Sequence, residues 1–511
     1  MKKNRLFTTI CLMAAILFTA CTQDKLAEQG AALPDGEYPL QIGSVSITAE
    51  SSEEPCTRVA ENETDGMGSH WTGGERIGVR IGDNEETGIY IIKVDEAGNV
   101  TVEPDKPVYW KSTQSADVTA WYPATDGALD LGGQDNGLVY VLRATADNAN
   151  HNTPVNLQFE HQLAKVRVVT KGTVNVGSIS IQYPDLCVVN EGIVTSVGSW
   201  LDLDLYKTYY EGIGTCWEIN LPVGNDIEFC RVTPIENSAI MKNAPLTPPV
   251  TLEASKVHTI TITANREGTQ TINLANKDYE ITGDGIYYFS GTASHAIRVK
   301  GGNPEIYLED AQISVSGGNA IDIQGGNPTI HVKGNDNEVS SSDGAGIYVA
   351  GSSTVTITGR SRDDALTTRG GNGGSGIGGN HATCGNIEIS NMTVHAHGSD
   401  ENGDFLSAGI GGSGNNGCGT ITIDNATISA YGASDGAAGN MSSPGIGGGL
   451  DGNNKGTYST ITIKNNSQVS VQRGSNRSDY IGSGGSTMNP ANSPNGIDAT
   501  VDETSTITPL N

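Results

Sequence analysis

Residues 374–474 say nearly the same thing three times. "GSGIGGNHATCGNIEISNMTVHAHG" (374–398) is followed by "SAGIGGSGNNGCGTITIDNATISAYG" (407–432) and "SPGIGGGLDGNNKGTYSTITIKNNSQVSVQRG" (443–474). Each unit carries two or three short apolar alternations broken by glycine and asparagine. That is too little to bury a core alone, but stacked units share one. An isoleucine recurs at Ile297, Ile321, Ile347, Ile377, Ile410, Ile446 and Ile481, with spacings that grow from 24 and 26 to between 30 and 36. Strands this short at such a period predict a right-handed parallel β-helix over 264–511, of roughly seven coils. Glycines then serve as positive-φ corners, and asparagines take left-handed bends.

The chain before this array has another character. Its first 264 residues hold 22 of the 67 glycines, and all five tryptophans (Trp71, Trp110, Trp121, Trp200, Trp217) lie there. Runs such as "RIGVRI", "GIYIIKV", "AKVRVVT" and "HTITITA" alternate in the strand period and are separated by turn residues. The expected class is all-β: antiparallel β-sandwiches over 40–158 and 159–263, then the coiled array.

The first residues, "MKKNRLFTTICLMAAILFTAC", combine a basic start, a short apolar run and small residues before Cys21. The run is too short to span a bilayer comfortably and has signal-peptide flanks. "LFTAC" resembles a bacterial lipobox, which implies cleavage after residue 20, a lipidated Cys21, a linker over 21–39 and a place at the outer membrane. The formal charge is −28, with no basic patch beyond the first residues, so no nucleic-acid partner is expected.

Six cysteines remain once Cys11 and Cys21 are set aside: Cys56, Cys187, Cys216, Cys230, Cys384 and Cys418. No C-x-x-C pair points to zinc. A disulfide among Cys187, Cys216 and Cys230 is left open. Cys384 and Cys418 hold the same slot of successive units, and a ladder of unbonded side chains is expected there.

No catalytic, metal or cofactor site is expected. Asp343, Arg362, Asp363, Asp364, Arg369, Asp400, Glu401 and Asp404 fall in loops of different units, without a spacing that aims them at one point. "VHAH" puts His395 and His397 on one strand face, but Ser429 and Tyr431 take those slots in the next unit, as on a wet face. Tyr307, Tyr348, Tyr431 and Tyr458 are candidates for stacking on sugar rings. Strand propensity accounts for them equally well.

"FEHQLAKVRVVT" (159–170) resembles the signature that opens the second domain of the fimbrillin family, matched by Phe159, His161, Ala164, Lys165 and Val166. "TR" at Thr57–Arg58, "HWTGGERIGVR" (70–80) with Trp71, "DVTAWYPA" (117–124) with Trp121, and "LEASKVHTITIT" (252–263) follow in the family's order. The resemblance implies two transthyretin-like sandwiches, a lipidated surface protein and proteolysis after Arg58. It also implies assembly by β-strand addition from other fimbrial subunits. In polymerising members the donor strand follows the second sandwich, whereas here the array follows it. The expectation is therefore a fimbrial tip or accessory subunit whose array binds a polysaccharide or host surface ligand. Two alternatives are a stand-alone polysaccharide-binding lipoprotein and a β-helix polysaccharide lyase or hydrolase.

Overall fold

Alternating apolar side chains become strands nearly throughout. The computed structural model describes residues 30–48, 65–66, 68–210, 213–235, 242–401, 405–414, 416–434, 441–451, 454–486, 491 and 496–510. Among them the only helical element is a three-residue 3-10 turn, Gln134–Asn136, and no helix is long and apolar enough to cross a membrane. Cys21, Cys56, Arg58 and Asp404 lie outside the described residues. The chain divides into two compact units, the first holding 175–263 and everything up to 170, the second 171–174 and 264–511.

In the first unit the strands are β1 (Ile42–Ile47), β2 (Arg76–Ile81), β3 (Gly88–Val94), β4 (Val100–Lys106), β5 (Ala116–Tyr122), β6 (Gly127–Asp130), β7 (Leu142–Ala149) and β8 (Val155–His161), followed by β9 (Ala164–Lys171), β10 (Val176–Asn190), β11 (Ile193–Asp204), β12 (Tyr206–Tyr210), β13 (Gly214–Leu221), β14 (Asp226–Pro234), β15 (Lys242–Thr251) and β16 (Val257–Thr263). Seven of them form one sheet in the order β1-β8-β7-β5-β2-β3-β4. It surrounds a core of Val45, Ile47, Trp71, Ile77, Val79, Tyr90, Trp110 and Phe159. Close backbone approach explains one glycine here. Gly78 in β2 sits opposite Trp121 in β5, and a Cβ on it would lie 2.5 Å from the indole.

Two features depart from expectation. β8 crosses the boundary placed at 158/159, because its pairings with β1 and β7 tie it to the first sheet. The β1–β8 pair is also parallel, with Val45 beside Leu157 and Ile47 beside Phe159. More than a hundred residues separate the two strands, so no hairpin forces the antiparallel direction. The remaining strands make a sheet β11-β10-β14-β15, joined by β6 along β10, and a second sheet β12-β13-β9-β16.

In the second unit successive turns of the described residues stack into three parallel ladders. One stacks Ile297, Ile321, Ile347, Ile377, Ile410, Ile446 and Ile481 in continuous register. These are the recurring isoleucines of the sequence, and all are fully buried. The second ladder runs through Thr329–Lys333, Thr354–Thr358, Asn386–Ser390, Ile421–Asp424 and Ile461–Lys464. The third runs through Asn337–Ser341, Ala365–Arg369, Thr393–His397, Thr427–Tyr431, Gln468–Gln472 and Thr506–Leu510. A single core fills the inside of the coil along its length.

The corners follow backbone chemistry. Asn391, Asn425 and Asn465 take left-handed φ of 53°, 48° and 56° in the same bend of three successive turns. Asn425 Nδ2 donates to Asn391 Oδ1 at 2.9 Å, so the bends are tied to each other. Beside the isoleucines runs a column of glycines: Gly378, Gly411, Gly447 and Gly482, with φ of 131–143°. A Cβ on Gly378, Gly411 or Gly447 would lie 2.0–2.1 Å from the carbonyl oxygen of the next glycine. No side chain fits there.

Candidate functional site

β1 is an edge strand of the first sheet. Its outer side pairs with no other described strand, and it presses Val45 and Ile47 into the core against the strand that carries Phe159. Backbone bonds fasten both of its ends, Val155 N–H to Gln41 O at 2.8 Å and Thr48 N–H to Phe159 O at 2.7 Å. The segment with Arg58 comes next in sequence, outside the described residues. The next described residues are Asp65–Gly66, and there the chain is pinned.

Lys165, with no exposed surface, donates from Nζ to the carbonyl of Gly66 at 2.8 Å. Gly66 has φ +63°, and a Cβ on it would lie 2.3 Å from the Tyr210 ring. Below it, Arg167 Nε donates to Glu218 at 2.5 Å, and the Tyr210 hydroxyl donates to the other oxygen of that carboxylate at 2.9 Å. The Arg167 guanidinium lies 4.9 Å over the Tyr210 ring. Burial opposes the arginine's charge, but Glu218 more than offsets it and holds its pKa above the ordinary value.

The other signature residues are buried. Trp71 meets Phe159 edge-on at 5.2 Å and Tyr122 at 6.1 Å. Ala164 is fully buried at the start of β9. His161 lies beside Tyr140, and burial, with the Lys165 charge second, pushes its pKa down to about 3. It is a neutral ring, not an acid–base group at neutral pH.

The four candidate tyrosines do not gather on one face of the coil. Tyr307 is buried on the second ladder, stacked on His331 at 4.3 Å, its hydroxyl bonded to Arg266 and Glu305. Tyr348 sits on the isoleucine ladder. Tyr431 is on the third ladder and stacks on His397 at 4.4 Å, nearly parallel. Tyr458 occupies a corner before the second ladder, beside Cys418, and its hydroxyl is bonded to Asp498. Register between turns creates the Tyr458–Asp498 pair, and no motif announces it.

Cys384 and Cys418 form a disulfide, where unbonded side chains were expected. Stacking of successive turns brings their Cα atoms to 4.3 Å, within reach of a bond that equal slots alone do not reveal. Cys187 and Cys230 are buried thiols outside any disulfide, pushed up to about 11 and 12 by burial. Their strands pair with Cys230 opposite Ile181, six residues from Cys187.

The loop charges are spent locally. Asp364 is buried and takes Arg360 and the Gly334 N–H, Asp343 takes Asn372, and Arg362 reaches Asn425. His395 and His397 face outward. Burial, then the charges of Arg369 and His395, lowers His397 to about 4. Among the described residues no three His, Cys, Asp or Glu side chains gather for a metal ion.

Residues 57–283 match the family described as fimbrillin-like. No curated protein matches the chain significantly. Among solved structures, a candidate cell adhesion protein from Bacteroides uniformis is 16% identical, with a TM-score of 0.34, over 46% of this chain and 94% of that one. The tip fimbrial protein Mfa3 from Porphyromonas gingivalis, truncated at its C-terminus, is 12% identical, with a TM-score of 0.24, over 34% and 75%. A fimbrial assembly protein from Parabacteroides distasonis is 11% identical, with a TM-score of 0.27, over 44% and 90%.

Proposed function

Because the chain is fimbrillin-like over residues 57–283, we propose that it is a cell-surface fimbrial subunit acting in adhesion, at the tip or as an accessory. In this reading two sandwiches form the base and the coil, a parallel β-helix, carries the ligand surface. Lipidation at Cys21 holds the precursor at the outer membrane. Cleavage after Arg58 then releases β1, and a strand from another subunit adds to the vacated edge of β8. The observation that supports this best is β1 itself, a parallel edge strand whose Val45 and Ile47 fill the core and whose chain runs on toward Arg58. Its removal would open a row of backbone groups on β8 and an apolar slot that only another strand can close.

The tip placement draws on the coil. It takes the place after the second sandwich where polymerising subunits carry a donor strand, and Thr506–Leu510 is paired as a rung along Gln468–Gln472. Intact mass of the surface form tests the first step: the processed protein should lack residues up to 58, and Arg58→Ala should retain them. Immunogold labelling tests the second. Label confined to fibre ends agrees with the proposal, and label along the shafts refutes it.

A further inference from the structure

We propose that a hollow at the last turns of the coil, built around Tyr458 and Asp498, binds a neutral saccharide unit. Its volume is about 610 Å³, within the range of small-molecule sites. Thr457, Tyr458, Thr460, Ser483, Asp498 and Thr500 line it, with Lys455 at one side. The wall is mainly hydroxyl and carboxylate, with Ile461 and Ala499 supplying its smaller apolar part, which suits a polyol over a lipid or an aromatic ligand.

The donors of this wall are partly committed already. Ser483 gives its hydroxyl proton to Asp479 at 3.1 Å and its N–H to the same carboxylate oxygen at 2.9 Å. Tyr458 gives its hydroxyl proton to Asp498, which also fixes the ring as a platform. What these groups still present is lone pairs: on Ser483, on Tyr458 and on the Asp498 carboxylate. An acceptor-rich hollow needs a partner rich in hydroxyl donors.

Asp498 in the wall and Asp479, bonded to Ser483 of the wall, set the ligand's sign. Asp479 is 2% exposed, does not itself line the hollow, and its carboxylate already takes both Ser483 donors. Burial first, and the Asp498 charge among the lesser causes, raises its pKa. A third carboxylate, brought in by a uronic or sialic acid, would add like charge to this pair, so a neutral sugar is preferred. The inference rests on the adhesin reading and sharpens it by naming where on the coil the ligand sits.

The test uses the full chain and methyl glycosides of glucose, galactose, mannose and N-acetylglucosamine, with methyl glucuronide as the acidic control, read by titration calorimetry. At least one neutral glycoside should bind and the glucuronide should not. Asp498→Asn should weaken that binding about tenfold or more, since a charge-assisted hydrogen bond is lost. Tyr458→Ala should do the same, while Tyr458→Phe, which keeps the ring, should stay within a few-fold. Circular dichroism melts show whether each variant keeps its fold. Undiminished binding by both Asp498→Asn and Tyr458→Ala overturns this site but leaves the adhesin reading standing. Preference for the glucuronide, or binding of none of the sugars, also overturns the site, and fibre labelling judges the adhesin reading separately.

Discussion

A fully buried ammonium is costly unless its donors are met, and Lys165 meets that cost with a carbonyl 99 residues away, at Gly66. Lys165→Met should destabilise the first unit by about 1–3 kcal/mol, visible in its thermal midpoint. It should also speed limited proteolysis just upstream of Gly66, because the pin on that chain is gone. His161 gives a pH dependence. The unfolded chain binds a proton on this ring near 6.5, but the folded one only near 3. Stability from this group is therefore complete above about 6.5 and is lost as pH falls toward 3, at about 1.4 kcal/mol per unit. Melts between about pH 7 and 4 should show that slope, and His161→Phe should flatten it. The sequence made Trp71 and Phe159 legible as core, since bulk and alternation suffice for that. It said nothing of Gly66 or Asp498, whose roles arise from distant pairings.

Among the elements, the glycine column and the isoleucine ladder are two sides of one rung. Gly411→Ala would place a methyl 2.0 Å from the Gly447 carbonyl at a φ of 131°, so a loss of at least about 2 kcal/mol is expected. The damage should be local, because each turn of such an array touches only its neighbours. Hydrogen exchange should rise around 377–378, 410–411 and 446–447 and stay low in the first turns; a uniform rise along the coil would contradict this. These rungs were readable because one residue type holds one slot. The alternation of β1 was readable too, but its parallel direction was not, since its partner lies more than a hundred residues away and nothing local sets the direction. The cysteines at 384 and 418 were placed in the right slots, yet slot identity does not separate a ladder from a bond.

For the molecule as a whole, the boundary expected near residue 264 rested on composition, the rise in glycine and the loss of tryptophan. Alternation gave the all-β class, and the repeat gave the coil. What it could not give was the Tyr458–Asp498 hollow, because the two residues meet only through the stacking of unequal turns. The column Gly378, Gly411, Gly447, Gly482 has an evolutionary corollary. From Gly378 to Gly447 each member abuts the carbonyl of the next glycine, so none of these three positions can take a side chain while the next rung stays where it is. Descendants of this chain can lengthen or shorten by whole turns, and novelty must accumulate in the loops, where nothing keeps count.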